Sequence, residues 1–341
     1  MFRFKTLAAA AATALAAASA SAQTADHTML ISSWTGPTHG INAQMWPNFI
    51  KMMEDATDGR VSGEVKLGLA PPPAQMDLVL DGAADMAIIF HGYQPGRFAT
   101  SKLIELPGYE GSAAAASAAY WKVYEEHLAA ANEHRGVKVL ALHTHGPAQL
   151  HTTSKVTELE QVAGLKLRVP GGVGSQVGEA LGAVGIQVPA PKVYETIASN
   201  AADGVVIPME SRKGFNLVEV APHVYRMPGG LYRGSFAFIM NLDTWESLPD
   251  DVRTALEEKV FGEPASRMLG GVWDDMDAQG LALTQATEGN EIVDASPEDV
   301  AAYEPIKAAI IEGVLEEIAA AGVDAEAAYD MVTSEMAGAT D

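Results

Sequence analysis

Hydrophobic positions along this chain follow two rhythms, a strand period near two and a helical period near 3.6, and the two take turns. Thr28 to Ser33 reads as a short strand. A helix is predicted from about Thr38 to Thr57, with Ile41, Met45, Phe49, Met52, Met53 and Ala56 on one stripe. Pro47 lies inside that span and should kink the helix or sit in its first turns. Asp58-Gly59 then ends it. Val61 to Leu69 alternates apolar with polar, broken only by Gly63, whereas Met86 to Phe90 and Val137 to Leu142 are continuous apolar runs, as in strands buried on both faces.

The same grammar repeats further on. Leu165-Lys166-Leu167-Arg168-Val169 is a strand with Lys166 and Arg168 on one face, closed by Pro170-Gly171-Gly172. A helix over about 173–184 follows, with Val173, Val177, Ala180, Leu181 and Val184 on its stripe. Strands over 186–188 and 205–207 flank a helix at 192–199, and Ser235 to Asn241 reads as a strand returning to the first sheet. The remainder is helical, from Pro249 to about Glu288 and from Pro297 to Ala337, the first part interrupted at Pro264 and at Gly270-Gly271. Strands and helices alternating in this way predict an α/β protein of two lobes with crossing connections.

Composition narrows the class. Met1-Phe2-Arg3-Phe4-Lys5, an alanine-rich run over 7–18 and Ala20-Ser21-Ala22 read as a Sec-type signal peptide over residues 1–22, cleaved near Ala22, so that the mature chain begins near Gln23. No other stretch is long and apolar enough to cross a bilayer. The chain has no cysteine, which excludes disulfides, a cysteine zinc site, a thiol nucleophile and a lipidated cysteine anchor. Acidic residues number 44 against 22 basic ones, a net charge of −22. The leader holds two of the basic residues and none of the acidic, so the mature chain stands at −24. Such a surface disfavours nucleic acid and anionic lipid as partners.

Residues at the carboxyl ends of the apparent parallel strands, where open α/β sheets bind ligands, form one set. They are Trp34; Phe90, His91 and Tyr93; His143 and His145; Arg168; and Ile207, Met209 and Glu210. One fixed cation amid rings and apolar walls suits a small organic acid with a sizeable apolar part. Arg168, beside glycine N–H groups and a helix N-terminus, is placed to grip a carboxylate, and as a cleft residue it should be exposed and contribute little to the core. Trp34, Phe90, Tyr93 and Met209 would be walls; His91, His145 and His151 would supply hydrogen bonds, with Glu210 a further contact. The competing reading is an exported zinc-dependent hydrolase built on His143, His145 and His151. Against it, no His-Glu-x-x-His spacing, Gly-x-Ser-x-Gly elbow, phosphate loop or dinucleotide fingerprint occurs, so no cofactor is expected.

Over nearly its whole mature length the chain resembles the periplasmic solute-binding proteins of tripartite ATP-independent periplasmic (TRAP) transporters, the dicarboxylate-binding type. The resemblance rests on Ala56-Thr57-Asp58-Gly59-Arg60-Val61, Asp81-Gly82-Ala83-Ala84-Asp85-Met86, Pro95-Gly96-Arg97-Phe98 and Gly164 to Pro170. Val193-Tyr194, Ala202-Asp203-Gly204 and Asn241-x-x-x-Trp245-x-x-Leu248-Pro249 complete it. It implies two α/β lobes with a ligand cleft between them, crossing hinge strands and a long bracing helix near the C-terminus. The lobes would be 23–147 plus 235–275 and 148–234 plus 276–341. It implies a non-catalytic protein, expected as a monomer, that delivers its ligand to the small and large membrane subunits of a sodium-driven permease, with Arg168 as the carboxylate clamp. The motifs favour this over a binding module for a nucleotide-driven transporter, whose scaffold composition could look the same. Three departures matter. Ile207 stands where relatives carry a ligand-holding asparagine, Gln149-Leu150-His151 precedes Thr152-Thr153-Ser154 where some carry a second arginine, and Phe90 replaces a polar residue. A less polar pocket is therefore expected, suited to a monocarboxylate with an aromatic or apolar body.

Overall fold

The structure, a computed structural model, describes residues 25–338; the expected signal peptide lies outside the described residues. Eleven described strands form two sheets. In chain order they are β1 (His27–Ser33), β2 (Val61–Leu67), β3 (Met86–Phe90), β4 (Val137–Thr144), β5 (Ala148–Thr152) and β6 (Lys166–Val169). Then come β7 (Val184–Gln187), β8 (Gly204–Pro208), β9 (His223–Arg226), β10 (Ser235–Asn241) and β11 (Glu291–Asp294). The first sheet runs β2-β1-β3-β10-β4 and the second β11-β9-β5-β8-β6-β7.

The chain crosses between sheets three times, from β4 into β5, from β9 back into β10, and through the long helical stretch after β10 into β11. The returning strand β10 lies antiparallel between β3 and β4, pairing Phe236 with Phe90 and with His143. This is the expected return of Ser235–Asn241 to the first sheet, and the strand is buried throughout, like β3. Helices cover both faces, which is why these two strands carry no alternation.

Two helices depart from expectation in instructive ways. The predicted helix at 38–57 is a π-helical turn over Ile41–Met45 followed by an α-helix over Trp46–Ala56, so Pro47 falls in the first turn, where its missing N–H costs nothing. Gly270-Gly271 does not break its helix, which is continuous from Glu263 to Ala286, with Pro264 in its first turn. The glycines serve close approach instead. A Cβ on Gly270 would stand 2.4 Å from the Ala113 carbonyl oxygen, and one on Gly280 would stand 2.0 Å from that of Met209. The helix therefore rests on bare backbone at the helix Ala113–Val123, beside the first sheet, and at the segment after β8 in the second. The C-terminal helices, Pro297–Ala320 and Ala325–Gly338, follow β11, and the last packs on Ala113–Val123.

Candidate functional site

Arg168 is the third residue of β6, on the same face as Lys166; Lys166 is exposed where the strand begins, and Arg168 is buried toward the strand's carboxyl end. It is 1% exposed, not the exposed cleft residue expected. Its Nε donates to the Val188 carbonyl at 2.8 Å and its Nη2 to the Tyr93 hydroxyl at 3.2 Å; that hydroxyl also accepts from Ala190 N at 2.8 Å. Tyr93 follows β3, so the first sheet reaches across to the second at the guanidinium itself. Among the described residues no carboxylate pairs with Arg168.

Arg168 lines a small, nearly filled cavity between the sheets, about 40 Å³ in volume. Its walls are chiefly rings. Tyr93 stands 4.6 Å from Phe90, Phe90 is 5.0 Å from Phe236, and Phe236 is 5.3 Å from Trp273, centroid to centroid. Trp34 meets Tyr93 edge-on, and Ile207 lines the same space. Beyond Trp273 lies His39, whose Nε2 is 3.3 Å from Glu210 Oε2. Glu210 N donates to Asp277 Oδ1 at 2.7 Å, and burial pushes the Asp277 carboxyl up to about 8, so it is protonated at neutral pH. His145 Nδ1 lies 2.6 Å from the Gly146 carbonyl oxygen and 3.3 Å from Gly234 N. Burial lowers its pKa to about 4, so the ring is neutral.

Of the residues expected at the site, the structure brings together Trp34, Phe90, Tyr93, His145, Arg168 and Glu210 around this cavity. His91, His151 and Met209 are not in its lining. His91 follows Phe90 by one position, which turns it to the opposite side. There its Nδ1 meets Ser235 Oγ at 3.0 Å and its Nε2 meets His134 Nε2 at 2.9 Å. His151 sits within β5, its Nε2 2.9 Å from the Ile207 carbonyl. Met209, between the lining residues Pro208 and Glu210, meets the brace helix at Gly280 with its backbone carbonyl.

The helix N-terminus after Arg168 is also otherwise engaged. Val173 N donates to Glu105 Oε2 at 3.0 Å, while Ser235 Oγ donates to Glu105 Oε1 at 2.6 Å. Gly171 (φ 102°) and Gly172 (φ 58°) make the tight entry possible. A carboxylate of the protein thus takes the place expected for the ligand's, and Arg168 is left as the cationic contact. Nor do the three histidines of the hydrolase reading converge. His143 Nδ1 accepts from Trp273 Nε1 at 2.9 Å and its ring stacks on Phe236, whereas His151 belongs to the second sheet. Among the described residues no group of three His, Asp or Glu side chains could hold a metal ion.

Trp273 and Tyr232 were not singled out from sequence, one inside a helical stripe and the other in a connection. Phe236 was readable in part, since it pairs with Phe90 once β10 is placed in the first sheet.

Two α/β sheets joined by crossing strands, braced by a long helix and closing on one buried cation, define a two-lobed solute-binding fold. The sequence model of the bacterial extracellular solute-binding proteins, family 7 (DctP), matches residues 32–317, and the chain belongs to that family. It is similar to a TRAP periplasmic solute-binding protein from Bordetella bronchiseptica solved with (R)- and (S)-mandelate bound. The two are 33% identical, with 91% of this chain and 99% of the other covered, at a TM-score of 0.88. A TRAP solute-binding protein from Rhodoferax ferrireducens, solved with copurified benzoate, is 25% identical over 92% and 98% of the two chains, at a TM-score of 0.85. The outer membrane transporter protein TsaT of Comamonas testosteroni is 26% identical over 93% of this chain and 94% of its own. The family consists of binding proteins, and this chain is one of them rather than an enzyme. Among the described residues no helix is long and apolar enough to cross a membrane.

Proposed function

We propose that the protein captures a small monocarboxylate with an aromatic body in the periplasm and delivers it, as a monomer, to the small and large membrane subunits of a TRAP permease. The observation that carries this reading is Arg168, buried without a carboxylate partner and facing a ring-walled cavity. A ligand carboxylate supplies the missing counter-charge, and its ring replaces water against Phe90, Phe236 and Trp273. Ile207 in that wall offers no hydrogen bond, which disfavours a second carboxylate. The mandelate and benzoate held by the two structural relatives are acids of this kind. In this reading residues 23–147 with 235–275 form one lobe and 148–234 with 276–341 the other. Closure is driven by the ligand's greater affinity for the closed state.

The test is a thermal-shift series on the chain from Gln23, with benzoate, mandelate, phenylacetate, succinate and zinc. Saturation at about 100 times the dissociation constant adds roughly 2.7 kcal/mol, a rise of several degrees in Tm. The aromatic acids should raise Tm, and Arg168→Ala should abolish the rise. A response to succinate without one to the aromatic acids would overturn the assignment.

A further inference from the structure

A carboxylate presents about four lone-pair sites, and a buried one leaves few of them unfilled. Arg168 can fill two. Its Nε is engaged by the Val188 carbonyl and one Nη2 proton by Tyr93, so the far end of the guanidinium, Nη1 with the second Nη2 proton, remains for a ligand. The other two lone pairs need other donors. Most of the cavity lining has none to give. Both indole N–H groups are engaged, Trp34 with the Ile88 carbonyl at 3.2 Å and Trp273 with His143 Nδ1 at 2.9 Å. The two lining histidines each turn a nitrogen elsewhere, His39 to Glu210 at 3.3 Å and His145 to the Gly146 carbonyl at 2.6 Å.

Two phenol groups differ. Tyr93 Oη accepts from Arg168 Nη2 at 3.2 Å and from Ala190 N at 2.8 Å, which occupies both of its lone pairs. Among the described residues its own O–H proton has no acceptor. Tyr232 lines the same cavity and is 2% exposed, and among the described residues its hydroxyl makes no hydrogen bond. The hydroxyl end of its ring lies at the first turn of the helix Gly172–Ala180, directly after the Arg168 strand. There its Cζ is so close that a Cβ on Gly174 would stand 3.1 Å away. Burial raises the pKa of that hydroxyl and the Arg168 charge opposes the rise, so the two groups are within electrostatic reach.

We propose that Tyr93 and Tyr232 complete the carboxylate site, each donating its hydroxyl proton to the carboxylate that Arg168 holds. This rests on the carboxylate-capture reading above and supplies the donors that the arginine lacks. Tyr93 follows β3, Arg168 belongs to β6, and Tyr232 lies in the connection from β9 to β10. One carboxylate therefore touches both sheets and the chain that crosses between them. The rival account makes Tyr232 a ring in the wall with an idle hydroxyl.

Isothermal titration of the chain from Gln23 with benzoate and mandelate separates the two. Tyr232→Phe removes no hydrogen bond of the ligand-free protein, so its Tm without ligand should stay within about 2 °C of normal. Its benzoate affinity should nonetheless fall at least about tenfold, the scale of a hydrogen bond to a charged group. Tyr93→Phe should weaken benzoate by at least as much, and it should also lower the ligand-free Tm, because Arg168 and Ala190 N lose an acceptor. Benzoate affinity within about threefold of normal in either variant overturns the proposal. So does a ligand-free Tm lowered by more than about 5 °C in Tyr232→Phe, since the hydroxyl would then be holding the fold. The Tyr232 arm decides even where Tyr93→Phe is too unstable to titrate. If neither acid binds the unmodified chain, the parent reading fails and takes this one with it.

Discussion

Two regions of this molecule bury an arginine equally well and use it differently. Arg233, 1% exposed in the connection entering β10, sends its guanidinium to the Gly111, Tyr109 and His145 carbonyls at 2.6, 3.3 and 3.4 Å, with Asp274 and Asp277 nearby. Arg168, also 1% exposed, has one carbonyl and one hydroxyl, and beside them a cavity. Burial alone therefore does not mark a binding group. What marks it is a shortage of acceptors next to empty space.

That contrast breaks if the two arginines respond alike. Arg233→Met should cost about 3–5 kcal/mol in urea unfolding, because several buried acceptors lose their donor. Its folded fraction should bind the aromatic acid within about fivefold of normal. Arg168→Lys should do the reverse. Affinity should fall by about 30-fold or more, since an ammonium cannot make the bidentate contact, while stability stays within about 1 kcal/mol. Comparable stability losses in both variants would sink the distinction.

His145 touches both regions, its carbonyl accepting from Arg233 and its ring lining the Arg168 cavity. Its pKa is lowered from 6.5 to about 4 by burial, so the ring stabilises the fold fully above pH 6.5 and loses that contribution as pH falls toward 4. At pH 5 the loss is up to about 2 kcal/mol. His145→Gln should shrink the stability gap between pH 7 and pH 5 by that amount; an unchanged gap would show that the ring charges without penalty.

Asp277 supplies the opposite slope. With its carboxyl raised from 3.8 to about 8, the stability it contributes is complete below pH 4 and is lost as pH rises through 8. Asp277→Asn keeps an acceptor for Glu210 N and should raise Tm at pH 8 by several degrees, with little change at pH 4. A rise of the same size at both pH values would point to packing instead.

Where the signal was local, the sequence was legible. β3 and β10 read correctly because a strand buried on both faces is an unbroken apolar run. β5, β9 and β11 were not anticipated: Ala148–Thr152 is short and mixed, His223–Arg226 has four residues, and Glu291–Asp294 is a half-exposed edge. Arg168 could be singled out because Pro170-Gly171-Gly172 ends its strand. That Glu105 caps the following helix could not, since 68 residues separate the partners. His91 and Met209 failed for another reason: each adjoins a residue that lines the cavity, but both lie just past a strand end, where the chain turns and the strand period no longer says which neighbour faces the cavity.

The glycine footings of the brace helix have a consequence for how such a protein changes its diet. Gly270 and Gly280 are ten residues apart, about 15 Å of helix, and each meets the opposing backbone where no side chain can be trimmed or lengthened. The spacing is a ruler cut in main chain, indifferent to what lies in the cavity. A larger or smaller acid must therefore be accommodated by resizing individual walls such as Ile207 or Phe90. A lineage can explore new acids one pocket residue at a time, without altering the seam where the helix meets the backbone of both halves.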